Sequence, residues 1–330
     1  MASQSYPFKI KHFIVNGYFL AFIAAFTASF KAIFVKLIYL QSELDAAQLL
    51  LLRLSIVLPF FIGMVVYAHF YKPLNQTLIS SSDNLATDST NRIINQLKLI
   101  GLLVWAGFCG YYFASLADFI GLQYISAGLE RLVLFTYPTL VLLIEAILFK
   151  RLPSAKTWGG VFICYLGLCA ALGHDIQFQD PTKVWIGVGW VFLSSLSFTF
   201  YYLSAGRLIR QLGTMCFTGW IGIIATIFTF IHFALTYQHF NFTQLTIEVW
   251  LYITLIALLC TLLPSWLTAA SIAKLGASTS ANISTLGPIF TIVLSWMILT
   301  EPFSWLQLIG LILVLTGIRI VQQQKSQTKS

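Results

Sequence analysis

Charge is what this sequence has least of. Asp, Glu, Lys and Arg make up 9% of its 330 residues, against about 25% in an average soluble domain. So few charges cannot cover a water-facing surface, and a soluble core this apolar would leave contiguous greasy patches exposed. That excludes a cytosolic enzyme, a nucleic-acid-binding domain and a disordered chain. The 11 acidic residues form no Asp-rich motif. The five histidines (His12, His69, His174, His232, His239) are scattered near the ends of apolar runs, with no partner at metal-ligand spacing. The five cysteines (Cys109, Cys164, Cys169, Cys216, Cys260) lie inside apolar runs and make neither a disulfide framework nor a metal site. No glycine-rich phosphate loop is present, so neither a cofactor nor an ATPase partner is expected, and no metal.

What the chain has instead is apolar length: 58% hydrophobic residues and a mean hydropathy of +0.84. Ten apolar runs follow one another, near 13–39, 46–71, 97–119, 127–149, 157–172, 184–204, 215–237, 249–270, 278–299 and 305–321. Most reach the ~17–25 residues that cross a bilayer as a helix, while 157–172 and 305–321 are marginal. None alternates with the period of a barrel strand. The expected fold is all-α, an integral membrane bundle of ten transmembrane helices.

The few basic residues orient it. With the N-terminus placed in the cytoplasm, the inner segments hold Lys9, Lys11, Lys72, Arg92, Lys98, Lys150, Arg151, Lys156, Arg207, Arg210, Lys274, Arg319, Lys325 and Lys329, whereas the outer ones hold Lys36 and Lys183. This asymmetry is the positive-inside pattern. It predicts a multi-pass protein of the cytoplasmic (inner or plasma) membrane with both termini cytoplasmic. The polar stretch at about 72–96 reads as a solvated cytoplasmic loop.

The chain also repeats itself. At an offset of 150, Ala127 meets Ala277, Pro138 meets Pro288, Gly160 meets Gly310 and Gly167 meets Gly317. The result is two five-helix units, 13–172 and 184–321, with short tails at 1–12 and 322–330. Five is odd, so the second unit must be inverted. Accordingly Lys150-Arg151 follows the fourth run, where Thr300-Glu301 follows the ninth. Inverted repeats are the architecture of alternating-access carriers, with the site at the midplane between them.

The doubled pattern of Tyr112, Ala117, Leu122, Ala127, Pro138, Gly160 and Gly167, then Pro288, Glu301-Pro302, Gly310 and Gly317, resembles the EamA module of the drug/metabolite transporter superfamily. The segment Leu122–Pro138 is its most family-like part, and the resemblance spans roughly 15–320. It implies a permease or exporter of small metabolites, with a central cavity lined by the first, third, fourth, sixth, eighth and ninth spans. One position departs from the pattern: Arg151 stands where the family usually carries Glu, so a role for that Glu carries over only to Glu301.

Ionisable groups within the spans are costly in hydrocarbon, which makes each a site hypothesis. Lys31, Arg53, Asp118, Glu130 and Arg131 fall in the outer third of the first half-bundle, while their counterparts Thr268, Ser280 and Ala281 are uncharged. Two readings stand side by side. One is a vestibule whose excess positive charge attracts a carboxylate or phosphate; the other is an internally neutralised salt-bridge set. Lys31 and Glu130 are the better placed for contact with substrate, and Glu130 for a coupled proton. Pro138 and Pro288 lie near mid-span, where a proline frees the carbonyl four residues earlier: Leu134 and Ser284. Tyr112, Tyr137, Tyr202 and Trp266 are aromatics able to pack against a solute, or against neighbouring helices.

The pathway set is therefore Lys31, Arg53, Tyr112, Glu130, Arg131, Leu134, Tyr137, Pro138, Tyr202, Trp266, Ser284 and Pro288. The expected function is secondary transport of a small organic, amino-acid-like metabolite by alternating access, not enzymatic; the alternative is an integral-membrane enzyme acting on a lipid-phase substrate. Expected partners are the small-molecule substrate and the lipid bilayer, without nucleic acid, in a monomer or homodimer.

Overall fold

A computed structural model describes residues 17–71, 89–148, 150, 153–236, 245–275, 283–302 and 304–327. The expected N-terminal tail, most of the polar loop, Arg151 and the last three residues lie outside these. Among the described residues every regular element is helical and there is no strand. Hydrocarbon offers no partner to a bare N–H or C=O, so apolar chain of this length has to satisfy its backbone along its own axis.

In chain order the helices are α1 (Gly17–Gln41), α2 (Ala46–Tyr71), α3 (Ser89–Gly107), α4 (Ala114–Leu122), α5 (Ala127–Leu134), α6 (Tyr137–Leu148) and α7 (Ala155–Phe178). They continue with α8 (Pro181–Leu212), α9 (Thr214–Thr236), α10 (Ile247–Ala257), α11 (Leu263–Leu275), α12 (Gly287–Ile298) and α13 (Trp305–Gln327). Among the described residues nine helical runs are long and apolar enough to cross a membrane; Gly287–Ile298 is a shorter apolar helix. Three boundaries differ from the apolar runs. Helix α3 begins at Ser89, inside the stretch read as loop, and α7 and α13 outrun the marginal spans 157–172 and 305–321. Extending a formed helix fixes one residue per added hydrogen bond, so polar flanks continue what the apolar segment starts.

Three backbone irregularities recur 150 residues apart. A π-helical turn at Phe108–Phe113 joins α3 to α4, and one at Leu258–Leu262 joins α10 to α11. Helix α5 stops at a turn over Phe135–Thr136, as the chain does over Thr285–Leu286 before α12. Lys150 and Thr300 both adopt positive φ, at 51° and 53°. The prolines expected to kink mid-helix instead stand in the first turn of α6 and α12, where the missing N–H has no helical partner to lose. The spans are broken and restarted there, not bent.

The packing is reciprocal too. Helix α1 packs on α11 and α8 on α4; α2 lies on α9, α5 on α12, and α7 on α13. The last pair is the closest. A Cβ on Gly310 would stand 2.7 Å from Gly167 O, and one on Gly160 would stand 3.0 Å from Gly317 O. Small residues let the two backbones touch without any hydrophobic drive between helices in lipid. Phe119, Leu50, Leu54 and Ile253 centre the larger core cluster; Leu129, Val133, Val191, Ile292 and Val314 centre a second. Outward faces carry exposed apolar side chains such as Phe162, Leu235 and Met297, as a lipid-facing surface requires.

The tight α7–α13 crossing predicts that Gly310→Ala lowers thermal stability of the purified protein in detergent by about 1–3 kcal/mol, the usual range for overpacking. Gly159→Ala should be neutral, since nothing lies within 4 Å of its position. Equal melting temperatures for the two variants would contradict the packing.

Candidate translocation site

One end of the bundle carries the connections at 42–45, 123–126, 179–180 and 299–304, and is termed distal here; the end carrying Gly17 and residue 275 is proximal. Helix α5 occupies the distal half of its span and is only eight residues long, so its four leading N–H groups are a large fraction of its backbone. Each kind of cap is used. Ser126 Oγ accepts from Leu129 N at 3.0 Å. The Asp175 carboxylate, at the end of α7, accepts from Ser126 N at 2.8 Å and from Ser126 Oγ at 2.7 Å. Glu301, following α12, accepts from Ala127 N at 2.9 Å. Carboxylates at a helix N-terminus also oppose its dipole favourably. Two separate elements thus close on α5 from the distal side.

Helix α5 carries Glu130 and Arg131, both buried. Glu130 faces the first span: Lys31 Nζ on α1 lies 2.6 Å from Asp118 Oδ2 and 3.7 Å from Glu130 Oε1. These are the ion pairs found among the described residues. Arg131 turns the other way. Its Nε donates to Thr291 Oγ1 on α12 at 3.1 Å and its Nη2 to Ala28 O on α1 at 2.8 Å. Thr291 Oγ1 in turn donates to Ser29 O at 3.2 Å, and Ser29 Oγ to Gly287 O at 3.0 Å. This chain of bonds ties α1, α5 and α12 together at mid-span.

A cavity of about 130 Å³ opens beside it, lined by Ala24, Ala25, Ala28, Ser29, Arg131, Phe135, Pro264, Thr268, Ser284 and Gly287. Its walls come from α1, α5 with its terminal turn, α11 and the break before α12. The lining runs from the level of Arg131 toward the proximal end. Arg131 is the charged group in that wall, and no carboxylate comes within 4.0 Å of it among the described residues. Such a wall offers a guanidinium fork, which matches a carboxylate or phosphate in plane and in spacing.

The expected charge set is therefore divided. Lys31, Glu130 and the unselected Asp118 form one cluster, and Arg131 belongs to the cavity. Arg53 reaches across to the second π turn, where its Nε donates to Thr261 Oγ1 at 3.2 Å while its guanidinium lies 5.5 Å from the Phe119 ring centre. Ser284 lines the cavity. Leu134 O is already taken by Ser195 Oγ on α8 at 3.2 Å, so it is not an open acceptor. Tyr137 packs edge-on to Phe198 at 5.2 Å and against Tyr202 at 5.5 Å. Tyr112 pairs with His232 Nδ1 at 3.0 Å. Pro138 and Pro288 shape the breaks; Pro288 is buried beside the cavity residue Gly287. Trp266 is 57% exposed, on the side of α11 opposite Pro264 and Thr268, and Tyr202 is 49% exposed. Sequence reading passed over Asp175, Thr291 and Ser29, and met Thr268 only as the uncharged counterpart of Asp118. For the first the signal was an Asp beside a His near a helix end; the other three are short polar groups at mid-span.

The EamA-like transporter family pattern matches residues 15–173 and 185–322. The Bacillus subtilis (strain 168) protein called "Uncharacterized transporter YcbK" is 29% identical over 221 residues, covering 64% of this chain and 70% of its own. The Synechocystis "Uncharacterized transporter sll1319" is 27% identical over 244 residues, 72% and 73% of the two chains. A solved crystal structure superposes with a TM-score of 0.60 at 14% identity, over 95% of this chain and 99% of that one, a likeness of fold.

The α5 cap makes a prediction of its own. Glu301→Ala removes a charge-assisted bond to Ala127 N and should cost about 1–3 kcal/mol of stability; Glu301→Gln, which keeps an acceptor, should cost less. Thermal unfolding of both variants in one detergent checks the order.

Proposed function

Because the chain belongs to the EamA-like transporter family, we propose that it is a secondary transporter that carries a small, amino-acid-like organic metabolite across the cytoplasmic membrane by alternating access. The unit of motion is a five-helix repeat, 13–172 against 184–321, the second inverted relative to the first. The support is the recurrence of π turns, span breaks and positive-φ residues at one offset, together with the reciprocal packing of the two halves. The positive-inside pattern puts both termini, and hence the proximal end, in the cytoplasm. The state described is then closed on the outside by the Asp175 and Glu301 caps, with its cavity on the cytoplasmic side.

The single observation that carries this reading is Arg131. It is 7% exposed, lines a mid-span cavity between the two halves, and has neutral oxygens rather than a carboxylate as its bonded partners. A substrate carboxylate entering from the proximal side would displace those neutral acceptors and gain a charge-assisted pair in a low dielectric. The apolar wall of Phe135, Pro264 and the alanines suits the carbon skeleton of such a solute. Binding at the junction of α1, α5, α11 and α12 gives substrate a hold on both repeats, which a carrier that rocks about its midplane requires.

Thermal-shift screening of the purified protein tests it. Amino acids and simple carboxylates should raise the melting temperature, and Arg131→Gln should weaken that binding about tenfold to a hundredfold, the equivalent of about 1.5–3 kcal/mol for a bond to a charged group. Arg131→Lys should fall between. If hydrophobic cations alone stabilise the protein, the assignment of Arg131 to substrate is wrong.

A further inference from the structure

The cluster beside the cavity has a proton count of its own. Lys31, Asp118 and Glu130 bring one cation and two carboxyl groups together; Glu130 is 0% exposed, Asp118 2%. Both oxygens of Glu130, and Asp118 Oδ1, lack any donor. Ionised carboxylates are acceptors only, so two of them facing each other in a buried site leave three orphan acceptors and one uncompensated negative charge. A single proton resolves both. It supplies the missing donor for a hydrogen bond between the two carboxyl groups, which share Lys31 Nζ as their cation, and it leaves the set neutral against Lys31. The other charged groups do not remove the need. Arg131 and Arg53 act on the pair without reaching it. Lys36, further along α1, forms no ion pair with either acid. Tyr39 donates to Phe119 O at 3.0 Å rather than to either acid.

We infer that Asp118 and Glu130 share one proton in this closed state, with Lys31 as counter-ion, and that the proton exchanges with water each time the carrier changes its open side. The second half of this statement rests on the carrier reading above; the first does not. When α5 parts from α1 and cytoplasmic water reaches the cluster through the cavity, the O–H bond breaks, its electron pair stays on the carboxylate oxygen and the proton passes to that water. Lys31 then serves two hydrated carboxylates. Opening of the distal end lets the pair take a proton from the outer water, and closure desolvates it with that proton held. Coupling to substrate follows from adjacency: Glu130 faces Lys31 while its neighbour Arg131 holds Ala28 O, so one displacement of α5 along α1 alters both contacts.

Infrared spectroscopy of the full-length protein in lipid nanodiscs reads this proton without any substrate. The wild type should show one carboxylic-acid carbonyl band at neutral pH. Glu130→Gln and Asp118→Asn each leave a neutral pair with Lys31, so each should fold and lose the band; Lys31→Met should strengthen it. No such band in the wild type, or one that survives both acid variants, overturns the shared proton. Coupling is read in proteoliposomes given a radiolabelled mixture of the proteinogenic amino acids. An acid-outside gradient should accelerate wild-type uptake, and Asp118→Asn should lose that acceleration. Uptake indifferent to the gradient in the wild type overturns coupling while leaving a carrier. A band that behaves as stated, with no uptake of any component, upholds the proton site and counts against the carrier reading instead.

Discussion

A backbone in hydrocarbon must find its own partners, and the architecture here follows from how that demand is met where the helices stop. Unbroken helix meets it automatically. At the break after α5 it falls to side chains: Ser195 Oγ donates to Leu134 O at 3.2 Å, and Thr136 Oγ1 to Val133 O at 2.7 Å. At the break before α12, Ser29 Oγ reaches Gly287 O. The leading N–H groups of α5 are met by Ser126, Asp175 and Glu301. Every one of these partners except Ser126 and Thr136 comes from another element. Breaking two spans therefore creates cross-links among α1, α5, α7, α8 and α12, and it concentrates polar atoms at a depth that is otherwise apolar.

Charge then settles where those polar atoms already lie. A buried ion is tolerated when it is paired or richly hydrogen-bonded. Lys31 takes the first course, through Asp118 and Glu130. Arg53 and Arg131 take the second, with threonine hydroxyls, a carbonyl and an aromatic face. The difference matters for what each can do. A cation held by a carboxylate has little to gain from an anionic ligand, whereas one held by neutral oxygens has much. On the transport reading proposed above, the cavity wall formed by Arg131, and not the cluster around Lys31, is therefore the place for a substrate carboxylate.

Much of this was legible in the residues, and the failures have physical causes. Composition and run length give the helices because hydrocarbon leaves so few alternatives. The 150-residue offset shows in four matched residues because glycine at a helix crossing and proline at a break are the types that packing and backbone geometry will not exchange. The charged positions could be grouped by depth, since 1.5 Å per residue is fixed. Their facing could not: depth says nothing of rotation about the helix, so Arg53 and Arg131 read as members of one half-bundle when each bonds across to the second. Trp266 fails for the same reason, being at the right depth on the lipid-facing side of α11. The prolines were placed correctly and their effect understated. A kink leaves a carbonyl vacant, whereas a break between two short helices gives neighbouring side chains room to occupy it, as Ser195 does at Leu134.

The length of α5 decides how it is held. Its eight residues are capped at one end by two carboxylates, bonded at the other through Leu134 O, and buried from Ala127 to Val133. Those carboxylates sit on different elements, Asp175 at the end of α7 and Glu301 after α12, so the N-terminus of α5 is tied to both. In the sequence the matched position of the first half carries Arg151, a donor in place of an acceptor. A carrier built from two copies of one unit would be indifferent to which side it opened. With Glu301 in one repeat and Arg151 in the other, the sequence itself makes the two halves unequal.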